Sequence, residues 1–436
     1  MASAARASPH PLVSRQAPSS AQNVVYWGQD SENNDLSHYC TSTSGIDILV
    51  LSFLYEFGNG INIPSGVIGN SCFISTTGQG QLCDDLASEI ATCQAAGVKI
   101  ILSLGGASGA YSLQSQAQAE SIGQYVWDSY ANSGNTTVQR PFGDVAVDGW
   151  DFDIEVNLGS SQYYQYMISK LRSNFPSDPS KTYYITGAPQ CPIPEPNMGI
   201  IIGNSTFDYL WVQFYNNNNG LDNIPFESCA LGINGGAPFN FDEWESFIAD
   251  TPSSGAKIFV GVPASTLASN GNSGGAVYYA SPDQLASVIS EVRDHPQFGG
   301  IMMWAAGYSD SNVNNGCTYA QEAKQILLTG APCGGSVPPP VSSSTTVSTT
   351  RSTSTTRATT TTKAPSTTTS STSPTSTCPV AGGACVAGTY ACTGSNFGIC
   401  DNGAWVIQPC SSGQVCVPDG NSIYCGLSGS SDPVCV

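Results

Sequence analysis

One stretch of the sequence points most directly to the fold, namely Asp148-Gly149-Trp150-Asp151-Phe152-Asp153-Ile154-Glu155. Three carboxylates, Asp151, Asp153 and Glu155, recur there at every second residue, with apolar residues between them and an apolar run before them. This pattern predicts a β-strand over Val145–Glu155. Because successive strand side chains point to opposite faces, all three acids share one face. Like charges at such spacing repel, and burial adds to the cost, so this strand indicates an active site.

The same row of acids has two other interpretations, a divalent metal site and a structural carboxylate cluster. A Ca²⁺ loop places its acids in a glycine-containing turn, whereas these acids lie on an apolar strand. Buried carboxylates without cations are costly, which disfavours a purely structural cluster. We therefore predict a site without metal and without cofactor.

Short β-branched or aromatic runs alternate with polar loops and stretches of helical period along the chain. The eight predicted strands are Asn23–Gly28, Ile46–Phe53, Val98–Gly105, Val145–Glu155, Tyr183–Ala188, Tyr209–Tyr215, Lys257–Val262 and Gly300–Ala306. This alternation predicts an α/β fold, a (β/α)8 TIM barrel, in which catalytic residues lie at the C-terminal ends of strands. Glu155 ends the fourth predicted strand. A doubly wound open sheet is the alternative, but its glycine-rich fingerprint is missing after the first strand.

The charge composition restricts which classes of molecule the protein is expected to bind. Of the 436 residues, 13 are Lys or Arg and 32 are Asp or Glu, which gives a net charge of −19. Such an acidic chain disfavours nucleic acid and anionic membrane surfaces as partners. No apolar run reaches transmembrane length. A neutral polysaccharide remains open.

The cysteines divide the chain. Eight of the 16 precede a Ser/Thr/Pro-rich tract and eight follow it, which predicts two disulfide-linked domains in an oxidising compartment. Zinc is disfavoured, because there is no Cys-x2-Cys pair and only three His. We predict a leader or disordered arm over 1–22, a barrel over 23–333, a linker over 334–377 and a small cysteine-rich module over 378–436.

Two glycosylation sequons, Asn135-Thr136-Thr137 and Asn204-Ser205-Thr206, agree with that compartment. The first 22 residues contain no apolar run long enough for the core of a signal peptide. The cysteines, the linker and the sequons nevertheless predict a secreted, extracellular protein. Association with a cell wall is compatible with this prediction.

The acidic strand resembles the Asp-x-x-Asp-x-Asp-x-Glu signature of glycoside hydrolase family 18. Four further segments are similar to strand motifs of its plant and fungal class III, hevamine-like chitinases. They are Tyr26-Trp27-Gly28-Gln29, Ser103-Leu104-Gly105-Gly106, Gln213-Phe214-Tyr215-Asn216 and Gly300-Ile301-Met302-Met303-Trp304. The resemblance spans residues 23–333.

The resemblance implies a secreted endochitinase that cleaves β-1,4-linked N-acetylglucosamine polymers by substrate-assisted, retaining catalysis. Glu155 would be the general acid and then the base. Asp153 would orient the acetamido group, and Asp151 would share a proton with Asp153. Tyr215 would donate a hydrogen bond to the acetamido oxygen, and Trp304 would form the floor of the −1 subsite.

The resemblance also implies a set of substrate-lining residues: Tyr26, Gln29, Gln213, Asn216, Gly105 and Gly106. For Tyr26 the alternative is a packed barrel tyrosine, for the glycine pair an ordinary strand end, and for Asn216 a polar loop.

At one position the chain departs from the family pattern, because Tyr55 stands where plant relatives typically carry Asn. Trp150 and Trp211 are predicted core residues.

Four barrel disulfides are expected. Cys40–Cys93, Cys72–Cys83 and Cys191–Cys229 are implied by the resemblance, and Cys317–Cys333 follows by elimination. The C-terminal segment resembles chitin-binding modules of carbohydrate-binding family 19 in its cysteine spacing and in Asn402-Gly403-Ala404-Trp405-Val406. Its aromatic residues Trp405, Tyr390, Phe397 and Tyr424 are candidates for stacking on sugar rings or for the module's own core.

Two other functions compete with the endochitinase hypothesis. One is an endo-β-N-acetylglucosaminidase that cuts N-glycans, which a chitin-binding module disfavours. The other is a non-catalytic chitin-binding lectin, which usually lacks the terminal acid that is present here as Glu155. We expect a monomer whose partners are chitin and N-acetylglucosamine oligomers.

Overall fold

The computed structural model describes residues 21–29, 34–69, 71–156, 161–217, 229–234, 236–269 and 278–335, and parts of 383–427. The chain forms two compact units, Met1–Thr345 and Thr346–Val436, and each is described by itself. The predicted arm and linker lie almost entirely outside the described residues, so their boundaries stay predictions.

Eight parallel strands form the centre of the first unit. They are β1 (Gln22–Trp27), β2 (Ile48–Gly58), β3 (Lys99–Gly106), β4 (Gly149–Ile154), β5 (Tyr184–Gly187), β6 (Tyr209–Gln213), β7 (Lys257–Pro263) and β8 (Phe298–Trp304). Each strand pairs in parallel with the next, and β1 also pairs with β8. The sheet therefore closes, which confirms the predicted (β/α)8 barrel and excludes the open sheet.

The side chains along each strand point alternately into two apolar layers, because successive residues of a strand face opposite sides of the sheet. Val24 and Val50 point into the barrel, where they pack with Phe259 and Met302. The residues next to them in sequence, such as Leu49, point outward into the larger core beneath the helices.

The helices surround the barrel. They are α1 (Asp84–Ala95), α2 (Gln116–Tyr130), α3 (Ser161–Asn174), α4 (Gly199–Asn204), α5 (Phe241–Ala249), α6 (Pro282–Val292), α7 (Ala306–Ser311) and α8 (Tyr319–Thr329), with 3-10 turns at Leu36–Cys40 and Phe175–Ser177. Complete capping boxes begin α6, at Ser281 and Gln284, and α8, at Thr318 and Gln321. Within the described ranges, no helix is both long and apolar enough to cross a bilayer.

The second strand is longer than the sequence predicts. It continues past Phe53 to Gly58 and turns at Asn59-Gly60 into an antiparallel strand at Ile61–Ile68. Both turn residues have positive φ, 48° and 91°, as an Asn-Gly hairpin turn requires. Short strands at Cys72–Ile74, Gly80–Gln81 and Ala110–Ser112 complete this β2 extension.

The fourth strand is shorter than predicted and begins at Gly149 instead of Val145. Asp148 still bonds to both neighbouring strands, since its N–H donates to the Ile100 carbonyl at 2.7 Å and its carbonyl accepts from the Tyr184 N–H at 3.0 Å. One residue earlier, the Val147 N–H donates instead to the Tyr130 carbonyl at the end of α2, at 2.9 Å. The apolar run 145–147 therefore leads from α2 to the barrel instead of extending the ladder.

All four predicted barrel disulfides are present: Cys40–Cys93, Cys72–Cys83, Cys191–Cys229 and Cys317–Cys333. The second of them closes the outer part of the β2 extension.

The second unit is built from short antiparallel strands. Three of them pair in order, Tyr390–Thr393, Asn396–Asp401 and Ala404–Pro409, and Gln414–Asp419 pairs with Ser422–Leu427. This agrees with the predicted small module.

Candidate active site

The row of acids on β4 points into the barrel. Asp151 and Asp153 are buried there, while the intervening Phe152 and Ile154 lie in the outer core beneath the helices. Glu155 comes one residue after the strand ends and is half-buried. The alternation predicted from the sequence is confirmed, and the row runs outward from the barrel interior to its C-terminal mouth.

Asp151 is the most enclosed of the three acids and has no exposed surface. Its carboxylate accepts hydrogen bonds from Tyr26 Oη, Ser103 Oγ and Thr186 Oγ1 at 2.7 Å each, and from Trp211 Nε1 at 2.8 Å. An ionised carboxylate has about four acceptor sites, so these donors saturate it. Burial raises the pKa of Asp151, and the four hydrogen bonds oppose that shift.

Asp153 and Glu155 form a hydrogen-bonded pair. Burial is the main cause that raises the pKa of each carboxyl, and the charges of Glu155 and Asp151 raise the pKa of Asp153 further. Gln213 Nε2 donates to Asp153 Oδ1 at 3.1 Å and lies 3.5 Å from Glu155 Oε1. The two carboxyls therefore titrate as a pair and share a proton.

This arrangement differs from the prediction that Asp151 shares a proton with Asp153. The acceptor sites of Asp151 are occupied by four donors from other strands, and the hydrogen-bonded partner of Asp153 is Glu155. Asp151 acts on Asp153 through its charge, which disfavours ionisation of the neighbouring carboxyl.

The sequence reasoning missed a second set of contacts to Glu155. Gln190 Nε2 lies 3.5 Å from Glu155 Oε2, and Asn197 Nδ2 lies 3.3 Å from Gln190 Oε1. The buried Glu195 accepts hydrogen bonds from the N–H groups of Gln190, at 3.2 Å, and Asn197, at 2.8 Å. Burial raises the pKa of Glu195 to about 7. A polar residue shortly after a barrel strand is the signal that could have identified Gln190.

Aromatic side chains line the mouth beside the acids. Trp304 ends β8, is half-buried, and stacks on Phe53 with ring centroids 5.9 Å apart. Tyr26 packs at 5.7 Å from the same indole, so Tyr26 is both a packed barrel residue and a hydrogen-bonding partner of Asp151. Tyr215 is buried, and the charges of Asp153 and Glu155 add to the effect of burial in raising its pKa.

The glycine pair after β3 is explained by strand packing. A Cβ on Gly105, whose φ is +117°, would lie 2.1 Å from the Asp153 carbonyl oxygen. A Cβ on Gly106, whose φ is +101°, would lie 3.1 Å from the Phe53 ring. The close approach that requires glycine is therefore between neighbouring strands, which brings β3 against the strand of acids.

The remaining predicted lining residues have mixed surroundings. Gln29 is exposed, and its amide donates to the Gly28 and Ser52 carbonyls at 3.1 and 3.0 Å. Asn216 follows β6 with φ of +57°, and its buried Oδ1 has no hydrogen-bond partner among the described residues. Tyr55 packs against the aromatic side chains of the barrel interior.

The two predicted core tryptophans are both fully buried, but only one belongs to the outer core. Trp150 stacks there on Phe175 with centroids 6.1 Å apart. Trp211 lies inside the barrel, where its indole N–H is one of the donors to Asp151. A strand tryptophan with an inward register is the signal that could have identified this second role.

The hydrogen-bond donors around Asp151 disfavour metal binding by this carboxylate. All of them point protons at the carboxylate, which leaves that group as an acceptor and not as a cation ligand. Elsewhere in the described part of the chain, Asp242, Glu245 and His295 come together, and His295 Nδ1 lies 2.8 Å from Glu245 Oε2 in a direct hydrogen bond.

In the second unit, Trp405 is half-buried and pairs with Cys400 across two strands. Tyr390, Phe397 and Tyr424 lie on described strands, but their side chains are outside the described part of the structure. Their roles stay predictions.

The fold and the site together define a class. A (β/α)8 barrel with paired carboxyls at its C-terminal mouth and an aromatic wall beside them has the features of a barrel glycoside hydrolase. Residues 22–309 match the model described as Glycosyl hydrolases family 18, and residues 344–421 match that described as Carbohydrate binding domain (family 19). The chain belongs to glycosyl hydrolase family 18. The second match overlaps the stretch predicted as linker.

Several known proteins are similar to this chain. Endochitinase 2 of Metarhizium robertsii is 70% identical over 335 residues, which cover 76% of this chain and 78% of that protein. The chitinase ICChI of Ipomoea carnea is 30% identical with a TM-score of 0.55, over 70% of this chain and 98% of that one. The xylanase and alpha-amylase inhibitor protein XAIP-II of Scadoxus multiflorus is also 30% identical with a TM-score of 0.55, over 71% and 98%. The barrel therefore supports more than one function, and the site must decide.

Proposed function

We propose that this protein is an endochitinase that hydrolyses β-1,4-linked N-acetylglucosamine polymers with retention of configuration. The observation that carries the proposal is the Asp153–Glu155 pair at the barrel mouth, placed beside a deeper carboxylate whose acceptor sites are filled. The 70% identity to a protein named Endochitinase 2 and the match to a carbohydrate-binding family support it.

Glu155 is the proton donor. It is the acid closest to the mouth, and burial raises its pKa, so it keeps a proton at pH values where an ordinary glutamic acid has lost it. It transfers that proton to the glycosidic oxygen as the C1–O bond breaks. In the second step it takes a proton from the water that attacks C1.

The nucleophile comes from the substrate. A retaining glycosidase ordinarily uses a second carboxylate about 5 Å from the acid, but this family is a recognised exception. Asp151 is saturated by donors, and Asp153 is paired with Glu155. The acetamido oxygen of the sugar at −1 attacks C1 instead, which gives an oxazolinium ion, and water then opens it with net retention.

Asp153, Gln213 and Tyr215 surround the position of the acetamido group. Asp153 accepts the acetamido N–H and stabilises the positive charge that develops during attack. The buried Tyr215 hydroxyl, whose raised pKa keeps it protonated, donates to the acetamido oxygen. Trp304 at the end of β8 offers its face to the apolar side of the sugar ring.

A non-catalytic binding protein on the same barrel is the second candidate, and the likeness to the inhibitor XAIP-II favours considering it. The complete row of acids argues against it, because a binder has no need of a proton donor with a raised pKa. An N-glycan endo-β-N-acetylglucosaminidase fits the barrel equally well, but the carbohydrate-binding match favours a polymer such as chitin.

We also propose an extracellular, monomeric protein that acts on chitin outside the cell, in the cell wall or beyond it. The four barrel disulfides support an oxidising compartment.

The decisive experiment is the time course and anomeric form of the products from soluble N-acetylglucosamine oligomers. We expect internal cleavage and initial β-anomers. Glu155→Gln should lower kcat by about 10²–10⁴-fold, the usual contribution of a general acid, while oligomer binding persists. The exposed Glu243→Gln on α5 is the matched control and should keep wild-type turnover. Wild-type protein that binds oligomers without cleaving them would support the binding protein instead, and cleavage of N-glycans alone would support the endo-β-N-acetylglucosaminidase.

A further inference from the structure

The position of Glu155 is not set by the barrel ladder. The pairing of β3 with β4 ends at Gly106 and Ile154, so the next two backbone N–H groups have no strand partner. Both of them donate to one side-chain oxygen: Glu155 N lies 3.0 Å and Val156 N lies 3.1 Å from Tyr111 Oη. Buried N–H groups must find acceptors, and a single hydroxyl serves these two.

The hydroxyl of Tyr111 is fully used. It donates its own proton to the Gly106 carbonyl at 2.7 Å while it accepts the two N–H groups. A hydroxyl offers one donor and two acceptor sites, so this group has no free capacity. It therefore bonds the turn that carries Glu155 to the end of the neighbouring strand, in the place where the ladder would have continued.

The ring of Tyr111 is held just as firmly. Tyr111 is 1% exposed, and it belongs to the short strand Ala110–Ser112 that pairs with the end of β2, where Phe57 is its partner. The two rings stack with centroids 5.5 Å apart. The β2 extension thus provides the platform on which the hydroxyl rests.

The carboxyl of Glu155 needs this support. The two amide contacts to it, from Gln190 and Gln213, are both 3.5 Å long, which is the weak end of hydrogen bonding. Among the described residues, its other side-chain partner is Asp153, which must be free to receive the acetamido group. The bonds to its backbone are shorter than any of the amide contacts to its side chain.

We propose that Tyr111 is a positioning residue for the proton donor: it fixes the turn at 155–156 so that the Glu155 carboxyl stays in the half-buried position that reaches the glycosidic oxygen. Tyr111 does not touch the substrate and acts only through Glu155. This inference rests on the proposed role of Glu155 as the general acid.

The test is Tyr111→Phe, which keeps the stacked ring and removes only the hydroxyl. A donor displaced by about 1 Å costs on the order of 10²-fold in rate, so kcat on a soluble oligomer should fall by that factor with little change in KM. The freed turn exposes Glu155 to water, so the alkaline limb of the kcat/KM profile should move to lower pH.

Tyr164→Phe is the matched control. Tyr164 contacts the same Phe57 ring at 6.3 Å, and its buried hydroxyl has no hydrogen-bond partner among the described residues. Its removal should leave kcat within about twofold, since no bond is lost. Equal losses in the two variants would contradict the proposal, and so would a Tyr111→Phe protein with wild-type kcat and an unmoved alkaline limb.

Two further measurements test the proposal if Tyr111→Phe fails to fold or if the wild-type protein does not cleave oligomers. If Tyr111→Phe does not fold, a ring-fluorinated tyrosine at 111, whose hydroxyl is a weaker acceptor, decides through the same kcat and pH readouts. The carboxyl pKa of Glu155, followed by NMR in wild-type and Tyr111→Phe protein, does not depend on turnover. A lowered pKa supports the positioning role even if the wild type failed to cleave oligomers, and an unchanged pKa rejects it.

Discussion

Asp151, Asp153 and Glu155 are all carboxylic acids and lie within five residues of sequence, yet their surroundings give them different chemical roles. Asp151 receives four neutral donors, Asp153 receives one amide and a carboxyl partner, and Glu155 reaches the mouth. At the scale of the residue, environment divides the work. That three acids occupy one face could be predicted from the period of a strand. Their partners could not, because Tyr26, Ser103, Thr186 and Trp211 come from four other strands.

The pH dependence of catalysis should follow from the shared proton. In the proposed mechanism activity needs Glu155 protonated, and burial raises its pKa, so turnover should persist above the ordinary glutamic acid pKa and be lost as pH rises through the raised pKa. Asp151→Asn removes a charge that raises the pKa of Asp153, so the alkaline limb of the pH–rate profile should move to lower pH.

Ser103→Ala is the control for that shift, since it removes one donor and keeps the charge of Asp151. Its alkaline limb should stay close to the wild-type position. A limb that is the same in Asp151→Asn and wild-type protein would show that Asp151 has no electrostatic effect on the pair.

Asp153→Asn should lower kcat by about 10²–10³-fold, the typical loss when one preorganised transition-state contact is removed. The amide preserves the size of the side chain but loses the charge that stabilises the oxazolinium-like state. Single-turnover rates on a soluble oligomer measure this directly. Rates within a factor of a few of wild type would mean that Asp153 does not face the developing charge.

At the scale of the element, the rhythm of apolar runs was enough to locate every barrel strand, but not to find where β2 ends. The residues of its extension, Leu54-Tyr55-Glu56-Phe57-Gly58, are mostly apolar or aromatic, so the rhythm alone does not mark an end at Phe53 or at Gly58. The Asn59-Gly60 turn was the local signal. Its importance is visible only in three dimensions, because the extension pairs with the short strand that carries Tyr111.

The disulfides should differ in their contribution to stability. Cys40–Cys93 joins residues 53 apart in sequence, whereas Cys72–Cys83 joins residues 11 apart. In the chain-entropy account, the longer loop contributes about 4 kcal/mol and the shorter about 3 kcal/mol to the free energy of unfolding. Denaturant titration of the two paired Cys→Ala variants measures both values. A larger loss from removing Cys72–Cys83 would contradict the loop-length ordering.

At the scale of the whole molecule, a barrel and a separate cysteine-rich unit share one chain. Linking a catalytic site to a second site for the same polymer raises the local concentration of substrate. The advantage should depend on the physical form of the substrate, because only an insoluble surface holds the chain in place between catalytic events.

Deleting residues 334–436 should therefore slow the attack on crystalline chitin much more than the cleavage of soluble oligomers. The rate at which new reducing ends form measures cleavage of both substrates. Trp405→Ala in the full chain is the finer comparison, since it should weaken only the crystalline reaction if Trp405 contacts the polymer. Equal losses on both substrates would reject the tethering idea.

The saturated carboxylate of Asp151 has a consequence for how this barrel can change over evolution. Its donors come from β1, β3, β5 and β6, so the hydrogen bonds to one buried carboxylate join four other strands to β4. Replacing Asp151 by an apolar residue would leave all four donors unpaired, at about 1–3 kcal/mol each. Replacing Glu155 gives up its bond to Asp153 and two long amide contacts at the rim, and strands none of the four donors to Asp151. A descendant of this enzyme can therefore abandon hydrolysis through Glu155 alone and remain folded, and the innermost acid would survive as a trace of the lost chemistry.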